Sequence, residues 1–141
     1  MCKFYSTSDF RKSLNLLIKK PKEGYSSVKN DICDALCKHN HNDILQFYDW
    51  MRDEKNFRIV KLRLPNSGQN LSKANGFRLI YLIHKEKKSI ILLDIYPKRG
   101  NHKKNSIDKA EINRLLANYV NEGESLQLHN INSELLEMVE A

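Results

Sequence analysis

Hydrophobic residues in the first third of this chain recur at helical spacing. Phe10, Leu14, Leu17 and Ile18 share one helix face while Arg11, Lys12 and Lys19 fall elsewhere, which predicts an amphipathic helix ending before Pro21. Ser6, Thr7 or Ser8 offers a capping hydroxyl, and Lys3–Ser6 ahead of it reads as a short first strand. A second stripe, Val28, Ile32, Cys33 and Leu36, follows a cap at Ser26 or Ser27. The short Pro21–Gly24 turn between the two implies an antiparallel helical hairpin. Asp43–Met51 is either a third short helix or a packed connector.

From Phe57 the period becomes two. Phe57–Leu64, Phe77–His84 and Ser89–Tyr96 are runs of β-branched and aromatic residues bounded by turn residues, and their connections are too short for crossover helices. Alternation puts Phe57, Ile59, Lys61 and Arg63 on one face of the first run and Arg58, Val60, Leu62 and Leu64 on the other. Ile107, Ile112, Leu115 and Leu116 then predict a final helix starting near Ser106 or Asp108. Ser125–Asn132 alternates like an edge strand, and Glu134–Glu140 reads as a short acidic helix. The expected class is α+β: an N-terminal helical hairpin on a three- to four-stranded antiparallel sheet, followed by a C-terminal helix.

Composition supports a folded chain of one domain: 141 residues, 40% hydrophobic, with 5 Gly and 3 Pro. No apolar run approaches the ~20 residues of a membrane helix, and the first dozen residues lack a signal-peptide core. Cys2, Cys33 and Cys37 match no disulfide framework. The expected address is therefore the cytoplasm, with no membrane partner. The net charge of +7 conceals an asymmetry, because all 24 Lys and Arg lie at or before Arg114. Residues 1–121, the expected body of the domain, carry 24 cations against 12 carboxylates, and residues 122–141 form an acidic extension with five. Such a body concentrates polyanions.

Arg78 stands inside the apolar run Gly76–Tyr81 of a central strand, where its guanidinium needs either a carboxylate such as Asp94 or a phosphate. Tyr96-Pro-Lys98-Arg99-Gly-Asn-His102-Lys103-Lys104 interleaves an aromatic with cations, a pattern suited to an RNA strand. Arg58, Arg63 and Lys73 add cations for RNA contact. Cys33, Cys37, His39 and His41 match no standard zinc finger, and there is no Gly-rich phosphate loop or nucleophile elbow. Neither metal nor cofactor is expected.

Phe57–Leu64, the polar turn after it, Gly76–Ile83 and Ile91–Arg99 together resemble toxins of the RelE/ParE superfamily over about residues 8–116. The resemblance implies two N-terminal helices on an antiparallel sheet, a cognate antitoxin as partner and, for RelE-like members, mRNA cleavage in the ribosomal A site. It places Lys61 as the residue activating the 2′-hydroxyl, with Arg78 and Arg99 stabilising the phosphate. Preorganised cations would favour the phosphorane over the ground state, making a metal-independent endoribonuclease. No Tyr lies between Gly100 and Ile107, so His102 takes the expected place of the residue that stacks on a base or protonates the leaving oxygen. The alternative implied is a non-catalytic ParE-like inhibitor of DNA gyrase.

Overall fold

The computed structural model describes residues 3–37, 39–47, 50–104 and 107–123, and the backbone of 127–130 and 137–139. Strand β1 (Lys3–Ser6) leads into α1 (Ser8–Ile18), whose first turn is capped by the Thr7 hydroxyl accepting from the Phe10 N–H. A 3-10 turn at Pro21–Glu23 reverses the chain into α2 (Val28–Leu36). The expected hairpin is present.

The segment after it differs from expectation. Helix α3 (His41–Leu45) starts earlier, on an Asn40/Asp43 capping box, and is shorter than the Asp43–Met51 region read as helix or connector, whose last two residues begin β2 (Trp50–Asp53). Trp50 and Met51 are exposed, so β2 carries no buried stripe from which a strand would be read. Strands β3 (Phe57–Leu64), β4 (Phe77–His84) and β5 (Ser89–Pro97) lie where alternation puts them.

Five strands in the order β2-β3-β4-β5-β1 form the sheet, and β6 (Gln127–Asn130) and β7 (Glu137–Val139) extend it to seven. The expected three to four antiparallel strands are too few. The pairing of β1 with β5 is moreover parallel, because α1 acts as the start of a crossover. Residues 137–139 are strand rather than the expected acidic helix. Both tail strands lie beyond β1, at the edge opposite β2 and β3.

Apolar residues fill both faces. Phe10, Leu14, Val28, Ile32 and Leu36 pack on Val60, Leu79, Tyr81 and Leu92 on the hairpin face. Ile112 and Leu115 of α4 (Lys109–Glu122), capped by Asp108, pack on Ile59, Ile80, Leu82, Ile91 and Leu93 on the other. Burial of both faces explains why β4 and β5 read as continuous apolar runs. Gly76 is required by a close approach: a Cβ there would lie 2.1 Å from the Leu64 carbonyl oxygen. Among the described residues, no helix is long and apolar enough to cross a membrane.

Candidate nucleic-acid interface

The α4-facing side of the sheet ends in cations. Register places Arg63 opposite Arg78 and Arg78 opposite Tyr96; the next row is Lys61, Ile80 and Asp94. Arg63 and Arg78 are therefore directly opposed on adjacent strands, with Cα atoms roughly 5 Å apart. Like charges so opposed repel one another, which by itself disfavours the pairing. Just past β5, partial burial together with the charges of Arg78, Lys61, Arg99 and Arg63 holds the Lys98 ammonium below the ordinary lysine range. Five cations, two on β3, one on β4 and two just past β5, thus share one electrostatic neighbourhood.

Within it the side chains differ in availability. Arg63 is exposed, and Lys61 and Lys98 are half-buried. Arg78 is buried: its Nη1 donates to the Lys73 and Phe77 carbonyls at 2.8 and 3.1 Å, and its Nη2 to the Ala74 carbonyl at 3.0 Å. The guanidinium ties the 73–77 turn to β4, so the Asp94 partnership does not arise. Asp94 instead accepts from the Ser13 hydroxyl and the Ile95 N–H, and Lys104 lies 3.7 Å away. Burial pushes its carboxyl above the usual range, against the opposing pull of the Ser13 bond and Lys104. Arg99, exposed, donates Nε and Nη2 to Asn75 Oδ1 at 3.1 and 2.7 Å. Tyr96 is 2% exposed and lies under the Lys104 ammonium, 5.7 Å from its ring centroid, so it supports the corner and offers no face to a base.

Other candidates lie elsewhere. His102 Nε2 is 2.8 Å from Glu23 Oε2, and its backbone N–H donates to the Tyr25 hydroxyl; both partners belong to the turn between α1 and α2. Arg58 projects to the hairpin side, donating to the Leu45 carbonyl and Asp53 and stacking 5.3 Å from the Trp50 ring. Lys73 and Lys103 are exposed on loops. The structure accordingly brings together Lys61, Arg63, Arg78, Tyr96, Lys98, Arg99 and Lys104, and holds Arg58, Lys73, His102 and Lys103 outside that group. Two features escape sequence reading: the depressed Lys98 and the Asn75 clamp on Arg99. Each needs the β4–β5 register, which no local pattern encodes.

A larger groove of about 950 Å³ opens on the hairpin side, floored by Ala35, Phe47 and Leu62. Its lining mixes Asp31, Asp34 and Asp43 with Arg63 and Lys73, so it offers a polyanion no uniformly basic surface. Cys33 is buried, and burial first, then Cys37 and Asp34, push its thiol up to about 12, the behaviour of a core residue. Among the described residues, no group of three or more His, Cys, Asp or Glu is placed to hold a metal ion. Comparison with known proteins finds no matching family model, no matching curated sequence and no matching solved structure.

Proposed function

We propose that this chain binds single-stranded RNA in the cytoplasm by laying a phosphodiester across the basic corner of β3, β4 and β5, and that it is the toxin of a toxin–antitoxin pair that cleaves mRNA on the ribosome. The observation that carries the reading is the strand register that gathers Lys61, Arg63, Arg78 and Arg99 around Lys98, where their charges add to burial in lowering its ammonium. A phosphate relieves the mutual repulsion of such a cluster.

Cleavage would follow from the same charges. The 2′-oxygen attacks the adjacent phosphorus, forming a P–O2′ bond and breaking P–O5′, to leave a cyclic phosphate and a 5′-hydroxyl. Lys98 takes the 2′-hydroxyl proton in its neutral form; a protonated lysine of the cluster returns a proton to the 5′-oxygen. Arg99 and Arg63 face the charge that grows on the phosphorane oxygens. An antitoxin neutralising the protein would cover this corner with acidic side chains.

A second reading, binding without cleavage as in a ParE-like gyrase inhibitor, is favoured by Arg78 being committed to three carbonyls and His102 to Glu23. Primer extension on cellular mRNA after induction separates the two. Codon-phased cuts that disappear in the Lys61→Ala/Lys98→Ala double variant support the nuclease; intact transcripts with DNA damage support the inhibitor and overturn it.

A further inference from the structure

Next to the basic corner lies a smaller cavity of about 190 Å³, bounded by the turn at Gly24–Tyr25, the Asn66–Leu71 loop, the start of β4 and the exit of β5. At ~30 Å³ per water it holds roughly six waters, the size of one planar heterocycle and too small for a nucleoside. Its walls are of two kinds. Leu71 and Pro97 are apolar, and three of the chain's five glycines, Gly24, Gly76 and Gly100, leave bare backbone on its surface. The polar groups are the Asn66, Gln69 and Asn75 amides, the Arg99 guanidinium, the Tyr25 hydroxyl and the Glu23 carboxylate, the last held by His102.

Arg99 links this cavity to the cation cluster, since it lines the cavity and is one of the charges acting on Lys98. Its two bonds to a single oxygen of Asn75 fix the guanidinium plane. Unpaired RNA bases are recognised by stacking on such planes while their edges meet amide donors and acceptors. Gln69 supplies such an amide at the mouth, beside Gly24, where a Cβ would lie 3.1 Å from the Gln69 carboxamide carbon. The framework behind it is held: Asn66 donates to the Gly24 carbonyl at 2.8 Å, and Tyr25 donates to the Arg99 carbonyl at 2.9 Å.

We infer that this cavity is a base subsite, taking one unpaired nucleobase stacked on Arg99 with its hydrogen-bonding edge toward Gln69 and Asn75, while the adjoining phosphate rests on Lys98. The inference rests on the RNA reading above and gives that site a means of reading the nucleotide as well as its charge.

Amide NMR spectra of the full chain, titrated separately with adenosine 5′-monophosphate, uridine 5′-monophosphate and ribose 5-phosphate, test it. Both nucleotides should shift the Gln69 and Asn75 side-chain amides and the Gly100 backbone signal, whereas ribose 5-phosphate should shift only the signals around Lys98 and Arg99. Gln69→Ala, on an exposed loop, should weaken nucleotide binding about fivefold and leave ribose 5-phosphate unaffected, as the loss of one hydrogen bond predicts. Identical shifts from nucleotide and sugar phosphate, or an unchanged preference in Gln69→Ala, overturn the base subsite and leave the phosphate site standing. No shift at the corner with any of the three probes overturns both.

Discussion

Replacing Arg78 with lysine separates a structural guanidinium from a phosphate-binding one, because it keeps the charge and removes the fork. Three carbonyls accept from Arg78. A bond from a charged donor contributes about 1.5–3 kcal/mol. The Lys73 and Ala74 carbonyls belong to exposed residues and regain water, which discounts each to about 1 kcal/mol, while the Phe77 bond is buried and keeps about 2 kcal/mol. A lysine ammonium recovers about one of these bonds and is the more strongly hydrated cation to bury, so the net loss is about 3 kcal/mol. For a chain of this length that lowers Tm by about 10 °C. Urea unfolding followed by the fluorescence of the single tryptophan and by far-UV circular dichroism measures it. Below the transition, RNA affinity should stay near that of the parent. A stability change under about 1 kcal/mol, accompanied by weakened RNA binding, would refute the structural assignment and return Arg78 to the phosphate.

Other outcomes follow from the same contacts. Gly76→Ala drives a Cβ into backbone at Leu64 and Asn66, which only separation of β3 from β4 relieves, so a loss of about 3 kcal/mol is expected by chemical denaturation; a loss under 1 kcal/mol would show that the turn yields. Asp94 has a folded pKa above its unfolded one, so its contribution is fully present in acid and is lost as pH rises through the folded value. Asp94→Asn should therefore match the parent's urea midpoint near pH 3 and exceed it at pH 7; an equal or lower midpoint at pH 7 contradicts this. Lys61→Ala, Arg63→Ala and Lys98→Ala should each flatten the dependence of log affinity on log salt for unstructured RNA by about 1, measured by fluorescence anisotropy. Unaltered slopes in all three would place the RNA elsewhere.

The amino-acid sequence alone determined the elements whose signal is periodic. Phe10, Leu14 and Leu17 recur at helical spacing and lie on one buried face of α1, and the alternation of β3 sorts Phe57 and Ile59 from Val60, Leu62 and Leu64 as the two core clusters do. Thr7 and Asp108 cap the helices they precede because a cap is a contact over three residues, visible locally. The basic corner was legible in part, since Arg63 and Arg78 follow from strand register once β3 and β4 are known to be neighbours.

Tertiary structure decided the rest, where partners lie far apart in the chain. The parallel pairing of β1 with β5 joins residues 3–6 to 89–92, and nothing in either strand states its partner's direction. His102 meets Glu23 across 79 positions, and Arg99 meets Asn75 across 24. Arg78 reads as a cation awaiting a phosphate until the 73–77 turn folds back and presents its carbonyls. A side chain's type sets what it can bond, but its burial and its neighbours decide what it does bond, and those are properties of chain crossings that no local period records.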